Sequence, residues 1–136
     1  MTKVTERELV QAAAQARRRA VAPYSRFKVG AALLTRQGQV ITGANVESAS
    51  YGLTCCAERV ALFAALTAGE KDFLGLAIVA RVPAGPMPCG ACRQILAEYA
   101  PRATVWVADS RALRRVRHFR VEELLPHPFL AKHLSD

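Results

Sequence analysis

The chain has 136 residues, 51% of them hydrophobic and 22% charged, with a formal net charge of +8. That length bounds one domain, residues 1–136, able to bury a core without disulfide staples, and that composition excludes a disordered or fibrous chain. No apolar run reaches the ~20 residues needed to cross a bilayer, and no charged-then-apolar leader is evident, so a cytoplasmic location is expected, where clustered thiols more often bind metal than pair as disulfides.

In chain order, the segment TERE announces a first helix: Thr5 can cap it, Glu8 can reciprocate, and Val4 can staple to Leu9. Leu9, Ala13, Ala16 and Ala20 follow at helical spacing, and Pro23 ends the segment. FKVGAALLTRQGQVITGANVE reads as two strands around a turn at Arg36-Gln37-Gly38-Gln39. A second helix should start near Cys55 or Cys56, run through AERVALFAALTAG and stop at Gly69. LGLAIVARV is almost wholly apolar, as expected of a strand covered on both faces. After the loop PAGPMP, a third helix should begin near Cys89 and end before Pro101. ATVWVAD reads as another buried strand, RRVRHFRV as a last one, and VEELLPHPFLAKHL as a short terminal helical region. The α-β-β-α-β-α-β-β order predicts an α/β fold, a three-layer α-β-α sandwich around one mixed, five-stranded sheet. Much of the excess positive charge lies in Arg17–Arg19 and between Arg111 and Arg120. A solvated helix end and a basic edge strand are the expected homes for it. No aromatic residues are interleaved there in the manner that stacks single-stranded bases, so a nucleic-acid partner is not expected.

The four cysteines fall into two clusters. Cys89 and Cys92 form a Cys-x2-Cys unit, a common zinc-binding pair. Cys55 and Cys56 are adjacent, and neighbours on a helix point about 100° apart, so both cannot comfortably serve one ion. His118, His127 and His133 lie far off without ligand spacing. The tally is three protein ligands and one open position, the arrangement of a catalytic zinc. Both clusters sit where helices are predicted to start, and helix N-termini stabilise thiolates. Three thiolates on Zn²⁺ leave a net charge of −1, which Arg59 or Arg93 could offset by hydrogen bonding to sulfur; Arg59 is the favoured partner. Glu58 adds a carboxylate that can face a metal-activated water without binding the metal, as in zinc deaminases.

CAER followed by PCGACRQ resembles the cytidine deaminase family, specifically its small homotetrameric, three-cysteine type. YSRFKVGAAL at 24–33, GANVESASYGLTCCAER at 43–59 and ELLPHPF at 123–129 extend the likeness over nearly the whole chain. The resemblance implies Zn²⁺ as cofactor, with Cys56, Cys89 and Cys92 as its ligands, Glu58 as proton shuttle and Arg59 as partner of the ligand sulfurs. It also implies Phe27 against a pyrimidine ring, Ala57 in the substrate pocket, and Asn45 and Glu47 on the ribose hydroxyls. On a strand, residues i and i+2 share a face, so Asn45 and Glu47 would converge on one sugar while Val46 faces the core. Phe129 and the segment around Tyr51 would reach into a neighbouring subunit's pocket. Cys56 stands where larger dimeric and polynucleotide deaminases carry His, which argues against an editing role. Ser48 stands where the family usually has Asn, and Cys55 has no place in the motif and is expected as a small buried filler. The implied activity is hydrolytic deamination of cytidine and 2′-deoxycytidine, in pyrimidine salvage. A related aminohydrolase such as blasticidin S deaminase, a zinc-stabilised interaction module and a nucleic-acid binder are the alternatives.

Overall fold

The computed structural model describes residues 3–134. Helix α1 spans Glu6–Ala16. Thr5 caps it, its hydroxyl oxygen accepting from the Glu8 N–H at 3.1 Å, while the Glu8 carboxylate accepts from that hydroxyl at 3.2 Å. Val4 packs on the cluster that contains Leu9, as a hydrophobic staple does. The helix ends earlier than its alanine repeat suggests. Arg17–Arg19 tighten into a single 3₁₀ turn and Ala20 lies beyond it. The arginines there are more than solvated charge: Arg17 Nε donates to the Lys28 carbonyl at 3.0 Å and Arg19 Nη2 to Thr42 Oγ1 at 3.3 Å.

Strands β1 (Val29–Thr35) and β2 (Val40–Ala44) form the expected hairpin. Its turn needs Gly38, whose φ of 91° suits a residue without a Cβ. Helix α2 covers Ala57–Thr67. It closes on Gly69 with a Schellman cap, the Glu70 N–H reaching Ala65 O at 3.0 Å and the Gly69 N–H reaching Leu66 O at 3.1 Å. Strand β3 (Phe73–Ala80), helix α3 (Gly90–Tyr99) and strand β4 (Thr104–Asp109) follow, then the short strand β5 (Arg117–Arg120) and the single-turn helix α4 (Val121–Leu124). The terminal helical region is not continuous. Pro126 and Pro128 fall between α4 and a 3₁₀ turn at Ala131–Leu134, and proline supplies no N–H to carry a helix through.

The sheet order is β2-β1-β3-β4-β5. Only β3 and β4 are parallel, joined by α3; the other pairs are antiparallel. Side-chain alternation splits the core in two. Ala31, Leu33, Leu76, Ile78, Val105 and Val107 face α2 and α3, whereas Ala32, Leu34, Ala77, Val79 and Ala108 face Leu9, Val10 and Ala13 of α1. This is the expected three-layer sandwich, and β5 is the basic edge strand.

Two glycines let helices lie close on the sheet. A Cβ on Gly30 would sit 2.0 Å from the Ala13 carbonyl oxygen, and one on Gly43 would sit 2.5 Å from the Ala61 backbone nitrogen. Gly30→Ala must push α1 off β1, and overpacking of that kind costs roughly 1–3 kcal/mol. We expect a lower denaturant midpoint with an unchanged m-value; an unchanged midpoint would show that α1 does not rest there in solution.

Candidate active site

Helices α2 and α3 begin on the same side of the sheet, and each begins at a cysteine. Cys56 is the N-cap of α2 and Cys89 the N-cap of α3. Neither accepts a side-chain capping hydrogen bond, so both sulfurs are left to other business. Cys92 lies one turn into α3, buried. The three Sγ atoms lie within 4.8 Å of one another, and they are the one group among the described residues that could hold a metal ion. Cys56 Sγ is 3.7 Å from Cys89 Sγ, and Cys89 Sγ is 3.6 Å from Cys92 Sγ. A tetrahedral zinc with bonds of about 2.3 Å sets sulfurs about 3.8 Å apart. The thiol set therefore fits zinc in kind and spacing, and offers three of four corners.

The charges around the sulfurs agree. Arg59 Nη2 donates to Cys56 Sγ at 3.4 Å, and its Nε is buried without a partner among the described residues. A partly buried guanidinium beside thiols, with one N–H sealed from solvent and unpaired, marks a place built for negative charge. Hydrogen bonding from Cys92, then from Arg59, holds the Cys56 thiol down to about 5. Cys92 is pushed upward by its hydrogen bond to Cys56 and by burial. Arg93, the other arginine considered, does not serve the sulfurs. Its Nε donates to the Pro88 carbonyl at 2.7 Å and its Nη1 to the Leu124 carbonyl at 3.0 Å.

Glu58 lies in the first turn of α2 and is only 5% exposed. Burial, joined by the negative charge of Cys56, pushes its carboxyl up to about 7. A carboxyl in that range can give and take a proton near neutrality. Ala57, beside it, is fully buried.

The segment 45–47 reaches this corner through backbone pairing. Val46 and Cys55 exchange N–H···O bonds of 3.0 and 2.9 Å, which lays the segment against the residue preceding the Cys56 cap. The strand reading of Asn45 and Glu47 needs correction, however. Strand β2 stops at Ala44, and Val46 forms isolated bridges to Val21 and Cys55. Val46 is 47% exposed and does not face the core. Asn45 is the buried one. Its Oδ1 accepts from the Val29 N–H at 2.8 Å and its Nδ2 donates to the Phe27 carbonyl at 2.9 Å. Glu47 Oε1 accepts from the Tyr24 and Ser25 N–H groups at 3.0 and 3.1 Å, and Oε2 accepts from the Ser25 hydroxyl. Those bonds hold its carboxyl below the ordinary range. Cys55 is likewise corrected: its thiol is half-buried rather than a core filler, because its backbone is committed to the exposed Val46 bridge.

Glu47 and Tyr51 line one cleft of about 370 Å³, with Tyr24, Ser25, Ser48 and Thr54. Phe27, Asn45 and Phe129 are not part of that lining. Phe27 and Phe129 are exposed rather than core residues. Tyr51 is 78% exposed, its ring edge-on to Tyr24 at 6.4 Å. Two positioning groups escaped the sequence reading. Gln94, two residues past Cys92, accepts from the Phe129 N–H at 3.1 Å and donates to the Phe129 carbonyl, clamping that segment to α3. Ser25 ties the 24–27 turn to Glu47. Both act across long loops, and only their place in the PCGACRQ and YSRF motifs hinted at them.

The model of the cytidine and deoxycytidylate deaminase zinc-binding region matches residues 3–108. The chain belongs to the cytidine deaminase family. It is 49% identical over 129 residues to a cytidine deaminase of Halalkalibacterium halodurans, covering 94% of this chain and 96% of that protein. A crystal structure of cytidine deaminase from Burkholderia pseudomallei superposes with a TM-score of 0.88 at 46% identity, covering 93% of this chain and 100% of that one. A blasticidin-S deaminase of Bacillus cereus is more distant, 30% identical over 110 residues, 75% of this chain and 76% of that protein. The mixed five-stranded sheet is thus the family's fold, and the family's cofactor is zinc. Among the described residues no helix is long and apolar enough to cross a membrane.

Proposed function

We propose that this chain hydrolyses cytidine and 2′-deoxycytidine to uridine and 2′-deoxyuridine with release of ammonia. One observation carries the reading: three thiols at tetrahedral spacing with a buried carboxyl, Glu58, two residues past the first of them. Zinc held by Cys56, Cys89 and Cys92 supplies the Lewis acidity that makes a water nucleophilic near neutral pH. Glu58 removes the proton from the attacking water and places it on pyrimidine N3. With the water oxygen bonded to C4, the same carboxylate takes the remaining proton of that C4 hydroxyl and hands it to the 4-amino group. The C4=O bond forms as the C4–N bond breaks and ammonia leaves, so one buried acid serves both halves of the reaction. Arg59 steadies Cys56 and disperses charge from the sulfurs.

For the substrate, Phe27 packs on the pyrimidine and Ala57 borders it, while Asn45 and Glu47 hold the ribose hydroxyls. Asn45 retains one N–H and one lone pair beyond its loop bonds, and Glu47 Oε2 retains acceptor capacity beyond Ser25, so both can still bind a sugar. Tyr51 and Phe129 serve a neighbouring subunit's site in a homotetramer; their exposure in the single chain supports that role. Residues 1–136 act as one domain, in the cytoplasm, in pyrimidine salvage.

Purified, zinc-loaded protein should release ammonia from cytidine and 2′-deoxycytidine and far less from blasticidin S or guanine. Blasticidin S as the preferred substrate would move the chain to the neighbouring specificity. Stoichiometric zinc with no ammonia from any of the four would favour a non-enzymatic module. Arg59→Ala should weaken zinc binding about 10–100-fold, read by competition with a chromophoric chelator, since partners of metal ligands typically contribute that much. Unchanged affinity would remove Arg59 from the site.

A further inference from the structure

A second concave surface opens on the far side of the sheet, away from α2 and α3. It is a cleft of about 800 Å³ between the first turns of α1 and the turn that joins β4 to β5. Its size lies within the range of small-molecule sites. Val10, Leu113 and Val116 supply an apolar floor continuous with the α1-side core. Four arginines line it, Arg7, Arg111, Arg114 and Arg115, against one carboxylate, Glu6. Arg111 is held by Asp109 at 2.8 Å. Arg7, Arg114 and Arg115 are exposed and form no ion pair among the described residues.

Like charges gathered around a concavity focus a positive field inside it. Guanidinium forks suit the paired oxygens of phosphate. We propose that this cleft binds a polyphosphate anion, free or as the tail of a nucleoside triphosphate, with Arg7 on one wall and Arg114 and Arg115 on the other. Single-stranded nucleic acid fits less well, because the lining has no aromatic side chain on which bases could stack. The site shares no lining residue with the thiol corner, so it stands or falls independently of the deaminase reading.

The test uses the full, zinc-loaded chain with ATP and tripolyphosphate as probes. Calorimetry is read alongside the fluorescence of Trp106, the only tryptophan, which packs on the same core cluster as Leu113 and Val116. Saturable binding of either probe is expected. Tighter binding of ATP assigns the nucleotide and a use for the apolar floor; equal binding assigns the polyphosphate itself. The double variant Arg114→Glu/Arg115→Glu should lose affinity at least about ten-fold, or 1.4 kcal/mol, and Arg7→Ala on the opposite wall several-fold. Both should keep the parent melting temperature and cytidine turnover. Arg102→Glu, in the turn between α3 and β4, should bind as the parent does. The proposal is overturned by no saturable binding at millimolar probe, by an equal loss in Arg102→Glu, or by an oligonucleotide that binds more tightly than ATP.

Discussion

Glu58→Ala is expected to leave the fold and the zinc content intact and to lower kcat for cytidine by at least about 10³-fold, within the range of general acid–base contributions. The carboxyl is buried in the first turn of α2, beside Cys56 yet outside the thiol triangle. Removing it takes away the proton carrier for both the water and the amine while sparing every sulfur. Because the side chain is buried, alanine also leaves a small void; Glu58→Gln keeps the volume and lacks only the titratable proton. The two variants should therefore fall alike in kcat, with zinc per chain unchanged by atomic absorption. Near-parent turnover in Glu58→Gln would eliminate the proton-transfer role outright.

Cys89→Ala is expected to lose zinc and to lower the melting temperature by about 10 °C. The reasoning is linkage. An ion bound a thousandfold above its dissociation constant stabilises the fold by about 4 kcal/mol, and in a chain of this size each kcal/mol moves the midpoint by about 3 °C. Cys89 Sγ lies 3.7 Å from Cys56 Sγ and 3.6 Å from Cys92 Sγ, so without it no three-sulfur set remains. Both helix starts should loosen together, since neither Cys56 nor Cys89 provides a conventional cap. Chelation of the parent should reproduce that loss, and the variant should be indifferent to chelator. A variant that kept full zinc occupancy would show that Cys89 is not a ligand.

The fold was legible where local chemistry and packing agree. Thr5 and Glu8 mark the start of α1 by a pattern of hydroxyl and acid, and Gly69 marks the end of α2 through a backbone angle few other residues accept. Nearly unbroken apolar runs placed the buried strands, because each has helices on both sides. The site was legible in its ligand types, and Cys-x2-Cys gave one edge of the thiol triangle. Choosing Cys56 over Cys55 needed either the family motif or the structure, in which Cys55 is spent on a backbone bridge and Cys56 caps a helix. The failures share a cause. Val46 was given the core by extending strand alternation past Ala44, but the chain there pairs with Val21 and Cys55 instead of continuing the hairpin. Gln94 and Ser25 act on partners 35 and 22 residues away, a separation on which periodicity is silent.

The edge strand β5 limits how copies of this chain can meet. Arg117, His118 and Arg120 crowd four residues, and the Arg117 guanidinium lies 5.1 Å from the centre of the Phe119 ring, shielding its apolar face. A second copy approaching that border would meet its own cationic image and would have to strip water from both before any ladder bond could form. Growth of the sheet from molecule to molecule is blocked on this flank. The protein can therefore be concentrated without seeding fibrils there.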